Sequence, residues 1–152
     1  MGMFYEDFTP GARFETALRT LTAADIAGFA AVSGDHHPLH TDPAAARQAG
    51  FPDIIAHGVL GLAVATGLAG RLGLTHGTLI ALVGVTWRFL EPILPGDQLS
   101  ARLEVKACRP TSRPGRGLVT LAVAMVNQRG ATVQEGEWIE LVLARGAAPG
   151  AH

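Results

Sequence analysis

Apolar residues recur along this chain first with a helical period and later with a strand period. Thr22, followed three residues on by Asp25, forms a capping-box pattern. Ile26, Phe29, Ala30 and Val32 then supply an apolar face that stops at Gly34, a natural terminator, which predicts a first helix. Asp42 as N-cap, Pro43 at the first helical position and Gly50 beyond the end predict a short second helix at Pro43–Ala49. Gly58–Leu72 reads as a third helix with no polar face, so it is expected to be buried all round. Gly58, Gly61, Gly67 and Gly70 lower its propensity, and close approach of another backbone is the expected compensation.

Strand signals flank these helices. FTPGARFETALRTL reads as a Pro-Gly turn and a short strand around Phe14 to Leu21. LIALVGVTWRFLEP gives the first long strand, and the turn Pro95–Asp97 leads to LSARLEVKACR. There Ala101, Leu103, Val105 and Ala107 alternate with Arg102, Glu104 and Lys106, so one face should meet the core. RPTSRPGRG, Arg109 to Gly117, reads as a flexible connector. LVTLAVAMV is apolar on both faces, as in a central strand, and a QRG turn leads into ATVQEGEWIELVLAR.

Four long strands and one helix that needs cover on every side predict an α+β chain of the hot-dog type. In that fold a curled antiparallel sheet wraps around a long central apolar helix. One sheet covers only part of a helix, so a second copy alongside, a homodimer, is expected. Residues 1–146 are read as a single domain, and 147–152 as a tail without fixed structure.

Composition narrows the partners. With 48% hydrophobic and 16% charged residues the chain can bury a core. A formal net charge of −1 gives no basic face for nucleic acid. The single cysteine, Cys108, excludes an intrachain disulfide and a Cys-based zinc site, and suits a reducing, cytoplasmic setting. MGMFYEDFTPG has no basic stretch followed by an apolar one, so no signal peptide is expected. Gly58–Gly70, 13 apolar residues, falls short of the roughly 20 needed to span a bilayer, so no membrane segment is expected.

The chemistry concentrates in SGDHHPLHTDP, Ser33 to Pro43, which holds three of the six histidines and two aspartates. It is read as a loop between two helix ends. His36, His37 and His40 with Asp35 or Asp42 offer metal-ligand types, but Pro38 pushes His37 towards extended geometry and breaks the helical His36–His40 pairing. A metal is therefore not expected. Ser33 lacks a Gly-x-Ser-x-Gly surround, and Cys108 sits mid-strand as a buried thiol, so neither is a candidate nucleophile. Asp35 and His40 fit proton transfer better: a rigid turn can aim both at one cavity and one water, the carboxylate raising the imidazole's proton affinity. The plainer reading has Asp35 capping local N–H groups and His40 satisfied within the loop.

SGDHHPLHTDPAAA resembles the signature of the MaoC-like, or (R)-specific enoyl-CoA hydratase, family: Ser-Gly-Asp-x-Asn-Pro-aliphatic-His followed by Asp-Pro. ADIAGFAAVSGD before it, IIAHGVLG after it and the later PILPGDQL turn extend the resemblance over most of the chain. The resemblance implies a hot-dog fold and reversible hydration of trans-2-enoyl-CoA to (R)-3-hydroxyacyl-CoA. It further implies Asp35 and His40 as the catalytic pair and the Gly58 backbone N–H as donor to the thioester oxygen, with no metal or organic cofactor. Which of Asp35 and His40 is the base stays open. Where the family pattern has Asn this chain has His37, which, with Ser33, is a candidate loop support.

His57 is read as a helix cap or a packed residue with a local hydrogen bond. Trp87 and Phe89 share a strand face and are read as core or dimer contacts. Arg47, Arg71, Arg88 and Lys106 are candidate contacts for CoA phosphates, though a surface cation ordinarily meets solvent. Two rival functions stand beside the hydratase: a hot-dog acyl-CoA thioesterase, and a non-catalytic acyl-CoA-binding protein.

Overall fold

A computed structural model describes residues 1–147. After a single 3-10 turn at Tyr5–Asp7 come β1 (Arg13–Glu15), β2 (Arg19–Thr20), α1 (Ala23–Ser33), α2 (Pro38–Thr41), α3 (Pro43–Gln48) and α4 (Gly58–Arg71). Four long strands follow: β3 (Leu79–Phe89), β4 (Gln98–Pro110), β5 (Arg116–Val126) and β6 (Thr132–Leu143). The tail at 147–152 lies outside the described residues except for Ala147. No helix among the described residues is long and apolar enough to cross a membrane.

The strands form one antiparallel sheet in the order β1-β4-β5-β6-β3, with β2 continuing the β1 side along β4. α4 lies on its inner face, which makes this the hot-dog arrangement expected from the sequence. Leu60, Val64, Ala65 and Leu68 of α4 pack on Leu103 and Val105 of β4, Leu121 and Val123 of β5, and Trp138 of β6. Each fully buried Leu or Val stabilises by about 1.5–3 kcal/mol, so this single contact fixes the helix on the sheet.

Local chemistry explains most element ends. The Thr22 hydroxyl accepts from the Asp25 N–H and the Asp25 carboxylate from the Thr22 N–H, closing the predicted capping box. The Asp42 carboxylate accepts from Ala44 N–H, and Pro43 occupies the first turn of α3.

Several expectations need correction. The strand predicted over Phe14–Leu21 is split into β1 and β2. Between them Thr16 bonds to Ala101 through both backbone and hydroxyl, and Leu18 turns out to solvent. Ala107 is exposed rather than core-facing, because β4 bulges between Val105 and Ala107. One extra residue there reverses the in–out phase, and Cys108 turns inward instead, its thiol donating to the Phe8 carbonyl. The connector expected at Arg109–Gly117 shrinks to Thr111–Gly115, since β4 and β5 extend further than their apolar runs.

α4 is not buried all round. Val59, Ala63, Thr66, Gly67 and Gly70 form an open side, because the sheet reaches only the opposite one. Its glycines meet side chains rather than another backbone: Gly61 faces Gln134 and Gly58 faces Phe89, while Gly67 and Gly70 have nothing close. Among the described residues β3 is bonded only to β6, and it exposes Leu79, Leu82, Val83, Val85 and Phe89.

Candidate active site

The site begins where α1 ends. Gly34 adopts φ +76°, a left-handed conformation that reverses the chain at low cost only for glycine. The Ser33 hydroxyl donates to Phe29 O at 2.6 Å and accepts from Asp35 N–H at 3.1 Å, pinning the residue after the turn. The Asp35 carboxylate accepts from the His37 N–H at 3.1 Å. That bond is the largest influence holding the carboxyl below the usual carboxylate range; burial opposes it, and the nearby rings of His57, His40 and His37 add to it.

His37 then caps a helical turn the sequence reading had treated as loop. Its backbone is extended, as Pro38 requires, and its Nδ1 accepts from Leu39 N–H at 3.3 Å. An asparagine oxygen in this position would accept the same N–H. The imidazole thus serves as N-cap where the family pattern has an amide. α2 is only four residues long, yet it lifts His40 towards the segment before α4. Ile55 N–H donates to Leu39 O at 3.0 Å, and His40 Nδ1 bonds Ile55 O at 2.7 Å. A carbonyl can only accept, so Nδ1 carries a proton and donates it to this bond, which fixes the orientation of the ring.

His57 completes the cluster. It is buried, with its ring stacked on His40 at 3.8 Å between centroids and tilted against Phe29 at 4.9 Å. Its Nε2 lies 2.9 Å from the backbone carbonyl of Asp35, which makes it the donor and leaves Nδ1 without a partner among the described residues. One ring nitrogen from each of His40 and His57 and a carboxylate oxygen of Asp35 all lie within 4.8 Å of one another. The converging set is thus Asp35, His40 and His57. Of the set weighed in the sequence, His36, His37 and His40 with Asp35 or Asp42, it keeps Asp35 and His40 and adds His57: His36 is exposed, His37 caps α2 and Asp42 caps α3.

α4 points its N-terminus into the same space. Leu60 and Gly61 N–H bond to His57 O, whereas Gly58 and Val59 N–H have no partner among the described residues, and His57 gives no side-chain cap. These free donors coincide with the positive end of the helix dipole. A cavity of about 460 Å³ is lined by His40, Ile55, Gly58, Phe89, Ile93 and Gln134. Gln134, missed in the sequence, is 2% exposed; its Nε2 donates to Gly58 O at 3.0 Å and its Oε1 accepts from Trp87 Nε1 at 2.9 Å. Its one sequence signal is a polar residue sharing the strand phase of Trp138 and Val142.

Among the remaining candidates, Trp87 stacks on Trp138 at 5.9 Å and Phe89 is half-exposed over Gly58. Arg88 pairs with Glu135 and Lys106 with Glu104, while Arg47 and Arg71 are exposed. Burial pushes the Cys108 thiol up, as expected of an inert one.

Residues 7–127 match the MaoC like domain family. The chain belongs to the MaoC-like dehydratases. Among curated members it is 38% identical over 127 residues to Protein MaoC of Klebsiella aerogenes, covering 83% of this chain and 37% of that one. The (R)-specific enoyl-CoA hydratase of Aeromonas caviae is 36% identical over 115 residues, covering 76% of this chain and 81% of that one. Among solved structures, a MaoC-like dehydratase from Rhodospirillum rubrum superposes with a TM-score of 0.85 at 34% identity, covering 95% of this chain and 99% of that one. Relatives of this MaoC-like chain are thus hydratases and dehydratases, which supports a lyase-type enzyme.

Proposed function

We propose that this chain adds water reversibly across the trans-2 double bond of an enoyl-CoA thioester, giving the (R)-3-hydroxyacyl-CoA. One observation carries the reading: a carboxylate oxygen of Asp35 lies within 4.8 Å of a ring nitrogen of His40, and His40 lines the cavity that also receives the free N–H groups opening α4. A water held between the two side chains is within bridging distance of both. His40 Nε2 takes a proton as the water oxygen bonds to the β-carbon. The π electrons move through the α-carbon towards the thioester oxygen, and as they return the α-carbon takes the proton held on His40 Nε2, so hydration leaves the site's proton count unchanged. Charge builds on the thioester oxygen, where the Gly58 N–H, preorganised at the helix start, stabilises it. The conjugated thioester is itself the electrophile, so the reading calls on no cofactor. Ser33 and His37 act by holding the loop. A homodimer through the free β3 edge and a cytoplasmic setting complete the proposal.

The test is loss of enoyl-thioester absorbance with crotonyl-CoA, product chirality being assigned with an (R)-specific dehydrogenase. Asp35→Asn and His40→Gln should each abolish turnover with the fold retained. Full activity in either variant overturns the mechanism. Release of free thiol from acyl-CoA identifies a thioesterase instead, and binding without turnover across chain lengths identifies a binding protein.

A further inference from the structure

Gln134 is held at both ends by groups that leave no choice of orientation. The Trp87 indole N–H can only donate, so the amide atom 2.9 Å away must be oxygen. The Gly58 carbonyl can only accept, so the atom 3.0 Å from it must be the amide nitrogen. An amide nitrogen carries two hydrogens, and only one is engaged. Among the described residues the second has no acceptor, although Gln134 is 2% exposed. The amide lies flush against α4 because residue 61 has no Cβ: one built there would stand 2.3 Å from Nε2. Gln134 lines the same cavity as Gly58 and His40.

A buried donor without a partner destabilises a fold unless a ligand brings the acceptor. An enoyl thioester entering this cavity offers one strong acceptor at the helix start, the carbonyl oxygen already assigned to the Gly58 N–H. We propose that the Gln134 side-chain amide is a second donor to the thioester oxygen, so that the oxyanion is held by one backbone and one side-chain N–H. Trp87 is then a positioning residue that fixes which end of the amide faces the substrate. This rests on the hydratase reading above.

The experiment uses the full chain with two readouts. In Gln134→Met, kcat with crotonyl-CoA should fall by about 100-fold while KM stays within about threefold, as for loss of a donor that acts in the transition state. For the second readout, 2,4-hexadienoyl-CoA is bound to Asp35→Asn, which cannot turn it over, and the red shift of its absorbance reports polarisation of the carbonyl. Adding Gln134→Met should reduce that shift. A kcat within about threefold of the parent, or an undiminished red shift, overturns the role of Gln134. If Gln134→Met fails to fold, Trp87→Phe keeps the ring stack and removes the N–H that orients the amide. It should lower both kcat and red shift, and an unchanged value of either refutes the proposal. Should the wild-type protein neither hydrate crotonyl-CoA nor shift the dienoyl probe as Asp35→Asn, the hydratase reading itself fails, and this inference with it.

Discussion

Gly61→Ala should destabilise this protein, although alanine is the better helix former. A Cβ at residue 61 would stand 2.3 Å from Gln134 Nε2, 2.5 Å from Oε1 and 2.6 Å from Cδ. That is roughly 1 Å inside ordinary contact, and both residues are buried, so the amide has to leave. Overpacking of this kind costs about 1–3 kcal/mol. Moving the amide also breaks its bonds to Trp87 and Gly58, each worth about 0.5–1.5 kcal/mol. Against this, replacing a mid-helix glycine returns about 1 kcal/mol of propensity. The net expectation is a loss of about 1–5 kcal/mol. In a Gln134→Ala background the obstruction is gone and only the propensity remains, so the same substitution should stabilise by about 0.5–1 kcal/mol. The sign therefore reverses between backgrounds. Urea unfolding followed by circular dichroism measures both steps, at one fixed protein concentration because self-association adds to apparent stability. A substitution that stabilises the wild-type protein, or costs the same in both backgrounds, refutes the packing described for Gln134.

Three further outcomes follow from the site and the sheet. His57→Phe keeps a ring against His40 and removes a buried nitrogen that has no partner, so stability should change by no more than about 1 kcal/mol. The lost bond to the Asp35 carbonyl should still lower kcat by about five- to tenfold, and unaltered kinetics would show that His57 does not position the loop. Because the Asp35 pKa is lowered, this carboxyl releases its proton below the ordinary aspartate value of about 3.9 and is an anion throughout the neutral range. The carbon-13 carboxyl signal missing from Asp35→Asn should titrate accordingly, and a midpoint above the ordinary aspartate value of about 3.9 contradicts the bonding described. Val83→Lys places a charge on the exposed edge strand β3, which should shift sedimentation towards a monomer; an unchanged sedimentation coefficient places the interface elsewhere.

What the sequence disclosed was whatever short-range chemistry encodes. Thr22 with Asp25, Gly34, and Asp42 with Pro43 each settle an element end within a few residues, and the structure keeps all three. The Asp35–His40 stretch was legible for the same reason, as a short unit of titratable groups around a proline. α2 escaped notice because four residues are too few to show a period, and His37 caps it with a ring rather than one of the usual small side chains. Ala107 was misplaced because a bulge shifts strand phase without altering the run of apolar and polar residues before it. The Gln134 network was out of reach: its two bonds join residues 47 and 76 positions apart, and nothing local to Gln134 names either partner. His57 is similar, with a bond to Asp35 that spans 22 positions.

Asp35, His40 and the free N–H of Gly58 are all delivered by one chain, the first two from a single turn and the third from the helix that follows it. In the proposed hydratase each chain therefore carries its own Asp35, His40 and Gly58 N–H. In genetic terms, an Asp35→Asn allele is expected to be recessive, since each intact chain in a mixed assembly keeps its own complement. Asp35→Asn and His40→Gln chains expressed together should not restore one another, because no pairing of the two brings an intact aspartate and an intact histidine into the same turn.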